Sequence, residues 1–168
     1  MSSKKIVLLN ILDKELKTFL DDFYKENDIK QQSLIPHITL RGPYIYKNKV
    51  AKKTSMRLNE YIDNVKNDKE HLIINGVDIF ENDKLYIVFL KLDNLNNLKF
   101  LARKKDYPIS KYGFNPHITL FTTRDKKLAY DIKDKLNTKV MNIKCKNIEW
   151  NIHELGVKYK NLFNLSSI

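Results

Sequence analysis

The pentapeptide Pro-His-Ile-Thr-Leu occurs twice in this chain, at residues 36–40 and again at residues 116–120. From residue frequencies, an identical five-residue pair would arise by accident in roughly a few chains per hundred of this length. An internal repeat on this scale predicts that the chain is built from two related halves, and it is the strongest constraint on the fold.

The segments around the two copies are also alike. A β-type run of apolar residues, KIVLLNIL at 5–12, precedes the first copy, and a second run, LYIVFLKL at 85–92, precedes the second copy at the same separation. Each run is followed by apolar residues at helical spacing, and each pentapeptide is followed by a lysine-rich amphipathic segment. These four predicted helices cover residues 13–27, 95–105, 50–65 and 126–136.

Further strands are predicted at residues 72–80, 140–150, 154–159 and 162–165. Because no linker rich in Gly, Ser or Pro separates the halves, residues 1–168 are expected to form a single bilobed domain with an internal duplication. The predicted fold class is α+β: a duplicated two-lobed fold, in which antiparallel sheets face each other across a central cleft and helices lie on the outside.

Side chains alternate between the two faces of a strand, so His37 and Thr39 are expected on one face, and Ile38 and Leu40 on the other. A proline precedes the histidine in each copy, and proline within sheets is typically found at the first residue of a strand. The apolar face would anchor the strand in the core, and the polar face would point elsewhere. The second copy gives the same arrangement, with His117 and Thr119 opposite Ile118 and Leu120.

If the two strands face each other across the cleft, two imidazoles flank a common point. This geometry suits phosphodiester chemistry without a metal, because one neutral histidine can remove a proton from the attacking oxygen while the other, as imidazolium, protonates the leaving oxygen. The two threonine hydroxyls would donate to the non-bridging oxygens. A histidine beside a threonine is also common in protein cores, but the duplication at matching register favours catalysis.

Five further residues are candidate substrate contacts. By strand alternation, Arg41 continues the polar face of the first copy and could pair with phosphate, while Phe121 in the second copy could stack on a base or ribose. Tyr44 and Tyr112 flank the two motifs, and each could stack on a nucleobase or equally close the hydrophobic core. Arg124 follows the second motif and could contact a phosphate or pair with its neighbour Asp125.

The two H-x-T motifs, at residues 37–39 and 117–119, resemble those of the 2H phosphoesterase superfamily, which includes 2′-5′ RNA ligase-like proteins and cyclic phosphodiesterases. The resemblance in the order of elements covers most of the chain. It implies a duplicated α+β fold with a central cleft and metal-independent chemistry on 2′-linked or cyclic phosphates. It also implies that His37, Thr39, His117 and Thr119 form the catalytic set.

Composition sets the remaining expectations. Lys plus Arg exceed Asp plus Glu by 31 − 20 = 11, which permits binding to RNA, although compositional drift towards lysine explains the excess equally well. No apolar run approaches the roughly 18 residues of a membrane span, so no membrane association is expected. The single cysteine, Cys145, is expected to be a passive thiol in a reducing cytoplasm.

No cofactor and no metal are expected, because the sequence has neither H-x-H nor H-E-x-x-H and no acidic residue at ligand spacing near the motifs. The two other histidines, His71 and His153, make a four-histidine metal site conceivable on composition alone. We expect instead that His153 lies at the surface near a strand end.

The sequence therefore predicts a monomeric, cytoplasmic phosphodiesterase that acts on a 2′,3′-cyclic phosphate or a 2′-5′ linkage in RNA or a small nucleotide. Three alternatives remain open at this stage. They are a non-catalytic RNA- or nucleotide-binding module of the same fold, an enzyme that degrades signalling oligonucleotides, and 2′-5′ RNA ligation. The near symmetry of the halves leaves open which histidine is the base and which the acid.

Overall fold

The computed structural model describes residues 4–31, 35–45, 52–93, 95–101 and 115–155. The strands in these ranges are β1 (Lys4–Ile11), β2 (His37–Ile45), β3 (Leu72–Asn82), β4 (Leu85–Leu92), β5 (Ile118–Thr123), β6 (Ile143–Cys145) and β7 (Ile148–Leu155). The helices are α1 (Lys14–Glu26), α2 (Lys52–Lys66), α3 (Leu95–Leu101) and α4 (Lys126–Asn137).

The strands form two antiparallel sheets, and this confirms the predicted α+β class. The first sheet has the order β2-β1-β7 and the second the order β5-β4-β3-β6. The repeated pentapeptides therefore lie on β2 and β5, which are the end strands of their sheets within the described part of the chain. The predicted strand at 140–150 is in fact two strands, β6 and β7, and residues 156–165 of the other predicted C-terminal strands lie outside the described residues.

The two sheets repeat one pattern of pairing. In the first, Val7 of β1 is paired with Arg41 of β2 on one side and Ile152 of β7 on the other. In the second, Val88 of β4 is paired with Phe121 of β5 and with Ile79 of β3. Val7 and Val88 thus occupy equivalent positions in the two central strands. Their separation along the sequence is one residue larger than the separation between the two pentapeptides.

A β-bulge in each pentapeptide strand lies at the same place. In β2 the register shifts between Thr39 and Arg41, and in β5 it shifts between Thr119 and Phe121, so that the leucine of each pentapeptide is the extra residue. A bulge interrupts the strict alternation of faces along a strand. Alternation therefore holds from the histidine to the threonine and ends at the following leucine.

One continuous core contains apolar side chains from both sheets and from the helices packed on them. Leu16, Leu20 and Phe23 form the buried face of α1, and Ala129, Ile132 and Leu136 form that of α4. No helix in the described part of the chain is long and apolar enough to cross a membrane.

Helix α1 of the first half contacts the bulge in β5 of the second. The Phe23 and Phe121 rings lie 6.3 Å apart between centroids, and the Tyr24 hydroxyl donates a hydrogen bond of 2.5 Å to the carbonyl of Leu120. Burial raises the pKa of Tyr24, so this hydroxyl keeps its proton and remains a donor. The two halves are thus joined directly at the strand that follows His117.

Replacing Tyr24 with Phe is expected to lower the free energy of unfolding by about 1 kcal/mol, because the Leu120 carbonyl loses its donor. Urea denaturation measures the change. Tyr86→Phe is the matched control, since the structure gives the Tyr86 hydroxyl no hydrogen bond to any described residue. Equal losses in the two variants would contradict the structural role of the Tyr24 bond.

Candidate active site

His37 and His117 lie at the start of β2 and β5, one strand in each sheet. His37 is the first residue of β2, and His117 immediately precedes β5. Strands β2 and β5 approach each other, with Cα atoms within 8 Å. The sequence repeat therefore places one imidazole on each side of the junction between the sheets.

Both imidazoles are held in the same way. The Nδ1 atom of His37 lies 3.0 Å from the carbonyl oxygen of Ile35, and that of His117 lies 2.8 Å from the carbonyl oxygen of Asn115. Because a carbonyl oxygen only accepts, Nδ1 must carry the proton in the neutral ring, and Nε2 is then the basic nitrogen. The backbone before His37 is fixed in turn, since Ile11 N–H donates to the Pro36 carbonyl at 2.9 Å.

The pKa of each histidine is lowered, chiefly by burial, which disfavours the imidazolium form. The carbonyl bonds at Nδ1 oppose this shift. The positive charge of His37 lowers the pKa of His117 further, so the two rings are close enough for their charges to interact. The coupling of the two charges disfavours the doubly protonated state of the pair.

The surroundings of His117 are aromatic. Its ring packs edge-on against Phe80 at 4.9 Å and at a tilt against Phe89 at 5.0 Å, measured between centroids. Phe80 and Phe89 themselves stack at 4.1 Å. This apolar wall removes water from one side of the imidazole and explains why burial dominates its pKa.

The threonines lie on the face expected from alternation. Thr39 and Thr119 are exposed, whereas the apolar residues of each pentapeptide are buried: Ile38, Leu40, Ile118 and Leu120 are at most 3% exposed. Thr39 is paired with Leu8 and Thr119 with Phe89, which are equivalent positions of the two central strands. Each half thus presents one imidazole and one exposed hydroxyl.

Burial contradicts one of the predicted substrate contacts. Phe121 is 2% exposed and packs in the core near Phe23, because the bulge at Leu120 turns it away from the face of Thr119. Arg124 is exposed just after β5, roughly 20 Å along the strand from His117, and its contact with a phosphate stays a prediction.

The other three predicted contacts cannot be placed in the same way. The backbone of Arg41 and Tyr44 belongs to β2, but their side chains lie outside the described part, and Tyr112 lies outside it entirely. In β2, Arg41 has the position that corresponds to Phe121 in β5, after the bulge. Strict alternation therefore does not extend to Arg41.

Two polar residues share the face of His37 but were not predicted as part of the site. Asn10, which is 4% exposed, is paired directly with His37 across β1 and β2. His153 is half-buried in β7, which contradicts the expected surface position, and its charge lowers the pKa of His37. Neither residue belongs to the repeated motif, and their polar character in a strand is the one sequence signal that could have indicated them.

Two other expectations concern residues outside the histidine pair. Cys145 is buried, and burial raises its pKa to about 12, so it is a passive thiol as predicted. The neighbouring Lys144 and Lys146 bind Asp68 instead. Among the described residues, no three His, Cys, Asp or Glu side chains are grouped so that they could hold a metal ion.

Comparisons with known proteins give little further information. No family model matches the chain, and no protein of curated function matches it. Among solved structures, Usb1 of Kluyveromyces marxianus is similar at a TM-score of 0.43 and 12% identity, over 93% of this chain and 99% of that one. The same protein solved with uridine monophosphate matches at 0.43 and 12%, over 92% and 99%. These similarities are too low to indicate a shared activity.

The lowered histidine pKa values predict a pH dependence of stability. Since each folded-state pKa is below the ordinary value of 6.5, the unfolded chain binds protons first as the pH falls. The stabilisation is therefore complete above about pH 7 and declines as the pH falls through 6.5. We expect a lower urea midpoint at pH 5.5 than at pH 7.5, and a smaller difference in the double variant His37→Asn, His117→Asn.

His71→Asn is the control for this measurement, because His71 is exposed at the start of β3. It should leave the difference between the two pH values unchanged. A double variant with the same pH difference as the wild type would show that the two imidazoles are not the groups whose pKa values are lowered on folding.

Proposed function

We propose that this protein is a metal-independent phosphodiesterase that hydrolyses 2′,3′-cyclic phosphates or 2′-5′ linkages in RNA or small nucleotides. The main support for the proposal is that two imidazoles are held in the same way, each by a backbone carbonyl. His37 and His117 occupy equivalent positions in two sheets that meet, and each Nδ1 lies against the carbonyl of the residue two positions earlier. Both Nε2 atoms are thereby made the nitrogens that exchange protons with a substrate.

The proposed reaction needs one neutral and one protonated histidine. The neutral imidazole takes a proton from water as its oxygen attacks phosphorus, and the imidazolium gives its proton to the leaving ribose oxygen. A cyclic phosphate then becomes a phosphomonoester next to a hydroxyl group, and the enzyme regains its single shared proton with the positions exchanged. The charge coupling between His37 and His117 disfavours protonation of both rings at once.

The exposed threonines complete the proposed site. Thr39 and Thr119 stand two residues after each histidine on the same face, before the bulge, and their hydroxyls would donate to the non-bridging oxygens of the phosphoryl group. Negative charge grows on these oxygens in the transition state, so donors fixed there lower the barrier. The net charge of +11 favours a polyanionic substrate such as RNA.

Replacing either His37 or His117 with Ala is expected to reduce kcat/KM for a 2′,3′-cyclic mononucleotide by at least ~100-fold, the usual contribution of a general acid or base. Phosphorus NMR identifies the product and the position of its phosphate. His71→Ala is the matched control and should retain wild-type turnover. If both catalytic variants keep their fold and their rate, the mechanism is wrong.

EDTA is expected to leave the turnover of the wild type unchanged, because no step of the proposed reaction uses a metal. The assay should compare untreated, EDTA-treated and zinc- or manganese-supplemented protein. Loss of activity that returns with the metal would replace the paired-histidine mechanism. Tight nucleotide binding without turnover in any of these samples would instead identify a binding module.

A further inference from the structure

Because the two sheets pair their strands in the same pattern, each residue that packs against His117 in the second half has an equivalent position beside His37 in the first half. Ile87, which immediately precedes Val88 in β4, is paired with Phe80 of β3. Ile6 immediately precedes the equivalent Val7 in β1, and it is paired with His153 of β7. His153 therefore occupies in the first sheet the position that Phe80 occupies in the second.

The second sheet shows what this position contacts. Although Phe80 is two strands away from β5, its ring lies 4.9 Å from that of His117, because the twist of the sheet carries diagonal neighbours over one another. The same pairing in the first sheet directs His153 towards His37. Two observations agree: His153 is half-buried, and its charge lowers the pKa of His37.

The exchange of Phe80 for His153 changes the chemistry beside one of the two histidines. Residues directly paired across strands lie on the same face, so His153 shares the face of Ile6, Leu8 and Thr39. Asn151, paired with Leu8, corresponds to Asp78 of β3, which is paired with Phe89. At these two positions the side of His37 has an imidazole and a neutral amide where the other half has a phenyl ring and a carboxylate, while Glu149 lies on the same face, paired with Asn10.

We propose that His153 is a phosphate-binding residue of the site, which donates a hydrogen bond to an oxygen of the substrate phosphate held between His37 and His117. This inference rests on the proposed function. A phosphate oxygen is an acceptor and an imidazole N–H a donor, and the bond becomes charge-assisted when the bound anion draws a proton to the ring. Glu149, the carboxylate on the same face of β7, lies four residues away, roughly 13 Å along the strand.

The test uses inorganic phosphate as the probe and NMR of the histidine rings in the wild-type protein. Phosphate should shift the ring signals of His153 and of His37 in parallel, at one dissociation constant, and should leave those of His71 unmoved. His153→Phe, which copies the other half of the fold, should weaken phosphate binding roughly tenfold or more. His71→Phe is the matched control and should bind phosphate like the wild type.

Steady-state kinetics on adenosine 2′,3′-cyclic phosphate separate a binding role from a structural one. His153→Phe should raise KM about tenfold with a smaller change in kcat, and His153→Gln, which keeps an N–H donor, should recover part of the loss. Wild-type His153 signals that do not respond to phosphate would overturn the proposal, whether or not the variants fold. So would an unchanged phosphate affinity in a folded His153→Phe protein.

Failure of this proposal is distinguishable from failure of the proposed function. If the wild type hydrolyses no phosphodiester but its His153 signals shift with phosphate, the phosphodiesterase proposal fails and the phosphate-binding role of His153 stands. If hydrolysis depends on His37 and His117 but neither phosphate binding nor KM depends on His153, the reverse holds.

Discussion

Burial of the isoleucine and leucine in each pentapeptide is the constraint on which the rest of the site depends. Ile38, Leu40, Ile118 and Leu120 are almost completely buried, and each contributes about 2 kcal/mol or more to folding. Rotating either strand to bury its histidine would expose both apolar side chains. The histidine and threonine are therefore held on the opposite face by the hydrophobic effect acting on their neighbours.

The separation of the two imidazoles is set by packing between the halves. Since one core includes Val7 and Leu9 of β1 together with Val88 and Leu90 of β4, neither sheet can move without disturbing the other. The contact of α1 with the β5 bulge adds a polar bond between the halves at Leu120, close to His117. A dense interior transmits such constraints, so the two histidines keep a fixed relation even though they are far apart in the chain.

The repeat allowed much of this arrangement to be predicted from the sequence. A shared pentapeptide indicates a shared strand environment, and alternation then places His37 with Thr39 and His117 with Thr119. Prediction failed for Phe121, since a bulge adds one residue to a strand without any sign in the local composition. The distance of Arg124 from His117 could not be predicted either, because strand length decides which end of β5 a residue occupies, and the motif defines only one end.

His153 was missed for a different reason. Its counterpart is Phe80, so a comparison of residue letters between the halves shows no similarity there. The counterpart strands also differ in their place along the chain, because β7 comes last whereas β3 immediately precedes β4. The correspondence is seen only in the strand pairing, in which Val7 is equivalent to Val88. The sequence separation between the two pentapeptides does not relate these two residues.

The residues that differ between the halves give the two imidazoles different surroundings. The ring of His117 lies against Phe80 and Phe89, and the charge of His37 lowers its pKa further. Burial also lowers the pKa of His37, and the charge of His153 acts in the same direction. A mechanism that uses one imidazole as base and the other as acid needs two rings that differ in proton affinity, and identical surroundings would give them equal pKa values. The residues outside the repeat therefore supply an asymmetry that the repeated motif alone lacks.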